Sequence, residues 1–179
     1  MRGNPIRASM IPSIFTLANL LCGFLALIWV IEGKFTLAAT MILLSVLMDT
    51  LDGKVARRLS VSSDFGKELD SLSDLVSFGV APAILTYQAI LQPLQPEYVR
   101  YVGLGIAAVF ALCGAIRLAR FNMMNITTHF LGVPITFAGG FLALLMFIRN
   151  MVPWYIYPVS MLILAFLMVS TFRVSKLGK

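Results

Sequence analysis

Apolar stretches long enough to cross a bilayer recur six times between Ile11 and Phe172, with only short polar gaps between them. A hydrocarbon core about 30 Å thick takes about 20 mainly apolar residues per helical crossing. That length places spans approximately over residues 11–31, 35–58, 68–91, 99–121, 130–149 and 151–173. Each is expected to be helical, because a lipid-facing backbone must satisfy its own hydrogen bonds and the alternation of a membrane barrel is missing. The composition agrees: 12% of residues are charged and the mean hydropathy is +0.91, against about 25% charged in an ordinary soluble domain. No low-complexity linker or internal repeat divides the chain. The expectation is therefore an all-α integral membrane protein, one domain over residues 1–179, with six transmembrane helices. Pro82, Pro134 and Pro158 fall inside the expected spans, where neighbouring helices must satisfy the freed backbone groups.

An even number of crossings puts both termini on one side. Arg2, Arg7, Lys54, Arg57, Arg58, Lys67, Arg117, Arg120, Arg173, Lys176 and Lys179 gather there, leaving Lys34, Arg100 and Arg149 opposite. The positive-inside rule makes the terminal side cytoplasmic. Trp29, Tyr98, Tyr101, Trp154, Tyr155 and Tyr157 then fall near the outer interface, where amphipathic rings are favoured. The first apolar stretch is too long for a signal-peptide core. A net charge of +6 requires no nucleic-acid partner, because topology and anionic headgroups account for it. Cys22 and Cys113 lie within spans without metal-ligand spacing and read as unpaired thiols. His129 reads as an interfacial residue, and Gly105, Gly114, Gly139 and Gly140 as helix-packing positions.

One segment breaks the apolar pattern. MDTLDGKVARRLSVSSDFGKELDSLSDLV, residues 48–76, holds six of the eight acidic residues. At about 100° per residue, a helix carrying Asp49 at 0° places Asp52 near −60°, Gly53 near +40° and Ala56 near −20°. On the next helix, with Asp70 as zero, Gly66 falls near −40° and Asp74 near +40°. The short connection 59–65 brings the two helices back antiparallel, so four carboxylates can converge beside small side chains. In a partly desolvated cavity they repel strongly unless cations neutralise them. Oxygen-only ligands select hard cations such as Mg²⁺, Mn²⁺ or Ca²⁺, and a pair of them could clamp a phosphate for in-line displacement. Two other arrangements fit the same residues: ion pairing with Lys54, Arg57, Arg58 and Lys67, and the acidic path of a cation transporter. Asp64 and Glu68 lie off that registry and read as a solvated loop. Arg117 and Arg120, three residues apart near the same mouth, could each hold a carboxylate bidentately. Asn122 is a further polar candidate or a helix cap. Thr16 and Asn19 share the polar face of the first helix, so each needs an internal partner.

The eight positions Asp49, Asp52, Gly53, Ala56, Arg57, Gly66, Asp70 and Asp74 read D-x2-D-G-x2-A-R-x8-G-x3-D-x3-D. This pattern resembles the signature of the CDP-alcohol phosphotransferases over essentially the whole chain. The resemblance implies six transmembrane helices, a homodimer, and transfer of a phosphatidyl-type group from a CDP-linked lipid to an alcohol with release of CMP. It assigns Asp49, Asp52, Asp70 and Asp74 to divalent metal, Mg²⁺ or Mn²⁺ and two ions by expectation, with Asp74 also the general base. Gly53, Ala56 and Gly66 would line the cytidine pocket, Arg57 would sit beside the diphosphate, and Thr16 and Asn19 would approach the nucleotide. Arg58 and Lys67 read as headgroup-facing charges. IPSIFTLANLLCGF, GAIRLARFN and FLGVPITFAGG are similar to the phosphatidylserine synthase branch, which implies CDP-diacylglycerol or CDP-archaeol as donor and L-serine as acceptor. Arg117, Arg120 and Asn122 are then the serine-binding candidates. Ser13 stands where an asparagine commonly follows the proline, and Thr136 where a second proline is expected. Glycerol phosphate, inositol phosphate and amino-alcohols are the alternative acceptors.

Overall fold

The computed structural model describes the backbone of residues 5–59, 64–124, 130–170 and 173–174, and side chains over 14–55, 64–123 and 132–170. Within these residues the chain forms α1 (Pro5–Ile31), α2 (Phe35–Leu59), α3 (Asp64–Leu91), α4 (Glu97–Met124), α5 (Ile135–Phe147) and α6 (Ile156–Val169). Two short strands, β1 (Phe130–Leu131) and β2 (Arg173–Val174), pair antiparallel beside the bundle. Helices α1 to α4 are long and apolar enough to cross a membrane.

The last two helices are shorter than their sequence suggested. Residues 130–149 and 151–173 were expected to span, yet α5 has 13 residues and α6 has 14, about 20 Å each at 1.5 Å per residue. Local chemistry sets the ends. Pro134 takes an extended conformation (ψ 140°) and serves as the N-cap of α5, whereas Ile148 and Ser170 leave helical geometry at the C-termini of α5 and α6. Gly132 supplies a positive φ of 72° just before α5, a conformation glycine adopts without steric cost. A Cβ there would lie 2.7 Å from both the Leu167 and Met168 carbonyls. The approach to α5 is thus folded onto the end of α6.

Helix α3 is the inner helix, with 56% of its span buried against 28% to 33% for α1, α2 and α4. It begins at Asp64, so Asp64 and Glu68 occupy its exposed opening turns rather than a loop. It is α-helical over Asp64–Asp74, widens to π geometry over Leu75–Val80, returns to α over Ala81–Thr86 and widens again over Tyr87–Leu91. Pro82 explains the first widening, since it has no N–H for the carbonyl four residues back and its ring crowds that turn. Gly139 of α5 seats against this segment, where a Cβ would lie 2.6 Å from the Phe78 carbonyl oxygen and 2.7 Å from its Cα.

Small residues set the other close approaches. Ser77 on α3 fills the space over Gly23 on α1, Ile135 on α5 reaches Gly114 on α4, and Val46 on α2 meets Gly140. Gly105, expected to pack, faces open space instead. Tyr157, expected in the interfacial aromatic belt, is fully buried and donates its hydroxyl to the Leu145 carbonyl at 3.0 Å. A buried phenol needs such a partner, and the end of α5 provides it. Trp154 and Tyr155 stay exposed. Both cysteines are unpaired. His129 lies outside the described residues, as do the side chains of Arg2, Arg7, Ala56, Arg57, Arg58, Arg173, Lys176 and Lys179.

Candidate functional site

The charged halves of α2 and α3 meet at one mouth of the bundle. Asp49 from α2 and Asp70 and Asp74 from α3 each offer a carboxylate oxygen, all within 4.8 Å of one another. Asp52, one turn beyond Asp49, is 7% exposed and stands at the edge of this triad. It interacts electrostatically with Asp49 and Asp70. Four carboxylates therefore gather as the helical registry required, three of them in one tight set.

Each of three carboxylates receives a side-chain donor from a neighbouring helix. The Thr16 hydroxyl donates to Asp52 Oδ2, Asn19 Nδ2 donates to Asp74 Oδ1 at 3.0 Å, and Thr136 Oγ1 donates to Asp49 Oδ2 at 3.4 Å. Ser77, one turn after Asp74, donates to the Asn19 backbone carbonyl at 3.0 Å. Thr16 and Asn19 are thus bonded to the acids. The polar face of α1 was visible in the sequence; its partners depended on how α1 crosses α2 and α3.

Electrostatics then calls for a cation. Two unit charges 4.8 Å apart repel by about 3 kcal/mol at an effective dielectric of about 20, and the triad contains three such pairs. Among the described residues, ion pairs link Lys34 with Glu32, Lys67 with Asp64 and Arg100 with Glu97, and none reaches the four aspartates. Asp52 Oδ1 and Asn19 Oδ1 are buried without a hydrogen-bond partner among the described residues. An oxygen-only donor set with orphaned acceptors fits a hard divalent cation. The cluster could hold metal.

Arg117 and Arg120, one turn apart on α4, have different surroundings. Arg117 interacts electrostatically with Asp74, and its buried Nε has no partner among the described residues. Arg120 instead donates to the Val169 carbonyl at 2.9 Å and the Ser170 carbonyl at 3.4 Å. A cation is well placed at those terminal carbonyls of α6. Asn122 exchanges hydrogen bonds with Ser71 at 3.0 and 3.3 Å and donates to Glu68 at 3.4 Å. It ties α4 to α3 near the mouth. Gly53 is half-buried on α2 and Gly66 lies in the first turns of α3, which places both glycines on the helices that carry the acids. Ala56 and Arg57 belong to α2, with side chains outside the described set. Thr136 and Ser77 carried no assigned role from the sequence. Thr136 had a signal, a hydroxyl where proline was expected.

Known proteins share this arrangement in sequence. The model of a family described as CDP-alcohol phosphatidyltransferase matches residues 9–172. The chain is 36% identical to the CDP-diacylglycerol--serine O-phosphatidyltransferase of Bacillus subtilis (strain 168), over 91% of this chain and 88% of that protein. It is 39% identical to the protein of the same name from Methanocaldococcus jannaschii, over 90% of this chain and 71% of the relative. An archaetidylserine synthase from Methanothermobacter thermautotrophicus is 40% identical over 72% of this chain and 54% of its own length.

Proposed function

The chain belongs to the CDP-alcohol phosphatidyltransferase family, and from that premise we propose that it transfers the phosphatidyl-type group of a CDP-linked lipid to the hydroxyl of L-serine, releasing CMP. The observation that carries this reading is the convergence of Asp49, Asp70 and Asp74 within 4.8 Å, on helices bearing the eight-residue signature. The serine acceptor rests on relatives named for serine transfer.

Asp49, Asp52, Asp70 and Asp74 would hold divalent metal, Mg²⁺ or Mn²⁺, as a pair of ions. Bound metal supplies charge neutralisation for a diphosphate and stabilises the leaving phosphate. Gly53, Ala56 and Gly66 would line the cytidine pocket and Arg57 would bind the diphosphate, as the family resemblance implies. Thr16 and Asn19, which the family resemblance places beside the nucleotide, also orient the Asp52 and Asp74 carboxylates, as outer hydrogen-bond partners of metal-bound groups do. Arg117 receives the serine carboxylate, for which its fork geometry is suited. Asp74 accepts the serine hydroxyl proton as the oxygen bonds to the lipid-side phosphorus and the bond from that phosphorus to the CMP oxygen breaks. A serine hydroxyl is a weak nucleophile, so positioning and proton acceptance carry the rate. The donor lipid keeps its chains in hydrocarbon and reaches the site sideways. The mouth faces the cytoplasm, and the chain pairs with a second copy, as the family resemblance implies.

The test is chemical. Purified protein supplied with CDP-diacylglycerol or CDP-archaeol, L-serine and Mn²⁺ or Mg²⁺ should release CMP and form the serine lipid. Chelation with EDTA should abolish turnover and added metal should restore it. CMP release with glycerol phosphate, inositol phosphate or an amino-alcohol but not serine would reassign the acceptor. Absence of CMP with every acceptor would overturn the enzymatic reading and leave cation transport or a membrane scaffold.

A further inference from the structure

Asp49 is the one member of the tight carboxylate triad contributed by α2, and among the described residues its side-chain donor comes from α5. Thr136 stands in the first turn of that helix, two residues after the Pro134 N-cap, and its Oγ1 donates to Asp49 Oδ2 at 3.4 Å. Two close contacts fix its position. Gly140, one turn along the same face, lies against Val46 of α2, and Gly139 lies against the Phe78 backbone of α3. Val46 precedes Asp49 by one turn, so the pairs Gly140 with Val46 and Thr136 with Asp49 run in antiparallel register. The hydroxyl therefore sits on a helix wedged against both acid-bearing helices.

We propose that Thr136 is a positioning residue for the metal site, locking the Asp49 carboxylate so that its free oxygen is presented to the cation. The inference rests on the metal-binding role of the triad given above. An aspartate χ2 is a broad, soft torsion, so an Asp49 held only at its backbone would sample many carboxylate orientations. A hydrogen bond to one oxygen removes that freedom before the cation arrives, and loss of such an outer partner typically costs about 10- to 100-fold in metal affinity or activity. Thr16 and Asn19 serve Asp52 and Asp74 in the same manner from α1, and among the described residues the side-chain donor to Asp49 comes from α5. Position 136 is also where the sequence departs from the expected proline, which has no hydroxyl to donate. Position 136 lies outside the eight-residue signature.

Mn²⁺ binding to the purified full-length protein, read by electron paramagnetic resonance of the free ion without substrate, tests this directly. Thr136→Val keeps the shape and removes the hydroxyl; Thr136→Ser keeps the hydroxyl and removes the methyl. The expected result is Mn²⁺ affinity weakened about 10-fold or more in the valine variant, with the serine variant within about threefold of the parent. In turnover assays the valine variant should require correspondingly more metal while its serine KM stays unchanged. Equal affinity in the valine variant and the parent overturns the proposal, and so does an equal loss in both variants, which would make the methyl packing decisive. Should the valine variant fail to fold, Thr136→Ala against Thr136→Ser makes the same comparison. A parent protein that binds no Mn²⁺ would instead sink the underlying metal-site reading.

Discussion

At the scale of single residues, position in the hydrogen-bond network separates groups that look alike in the sequence. Asp74 takes its donor from fully buried Asn19 and lies among the other acids, whereas Asp64 is exposed and pairs with Lys67. Asp74→Asn removes the proton acceptor while nearly preserving shape. CMP release should fall at least about 100-fold, the lower range for a positioned base, while CDP-lipid binding by titration remains measurable; turnover near the parent rate would remove Asp74 from the base role. The two arginines of α4 separate in the same way. Arg117→Ala should raise the serine KM with little change in the CDP-lipid KM. Arg120→Ala should leave the serine KM unchanged and lower stability by about 1.5–3 kcal/mol, the range for charged hydrogen bonds, because it strips the donor from the Val169 and Ser170 carbonyls. Thermal unfolding in detergent alongside serine titrations reads both, and a serine KM that responds to Arg120 instead would exchange the assignments.

At the scale of helices, the site depends on how closely α5 approaches α3. The widened turn of α3 follows Asp74 directly, and Gly139 occupies the space beside Phe78, where a Cβ would meet backbone atoms at 2.6 and 2.7 Å. Backbone cannot swing aside as a side-chain tip can, so Gly139→Val should lower stability by about 1–3 kcal/mol, the cost typical of overpacking. Gly105→Ala is the matched control. Nothing lies within 4 Å of that position, and the higher helix propensity of alanine should leave stability unchanged or raise it by up to about 1 kcal/mol. Unfolding midpoints of the two variants against the parent check both, and a neutral Gly139→Val would mean that α5 is not fixed by this contact.

At the scale of the whole molecule, opposite ends of the bundle differ in chemistry. One end gathers the aspartates with Arg117 and Arg120. The other carries Lys34 over Trp29 at 4.6 Å, Arg149 over Phe35 at 5.5 Å and the exposed rings of Trp154 and Tyr155. If the acidic mouth faces the cytoplasm, a cysteine introduced at exposed Lys34 in a Cys22→Ala, Cys113→Ala background should react with an impermeant maleimide added to intact cells. One at Lys67 should react only after the membrane is opened. The reverse pattern would invert the proposed orientation.

The sequence alone determined the helical bundle, though not the short β1–β2 ribbon beside it, because apolar length and backbone hydrogen bonding in lipid leave few options, and it brought four aspartates to one mouth, because helical periodicity fixes which residues share a face. Local breakers altered the last two helices: Pro134 and the residues around Ile148 shortened what hydropathy alone read as a full span. Partnerships between helices were decided only by tertiary structure. That Thr16, Asn19 and Thr136 each bond a different aspartate, that Arg120 closes the end of α6 while Arg117 faces Asp74, and that Tyr157 turns inward to Leu145 all depend on crossing geometry. A one-dimensional pattern records which face a residue occupies, but not which face of another helix is packed against it.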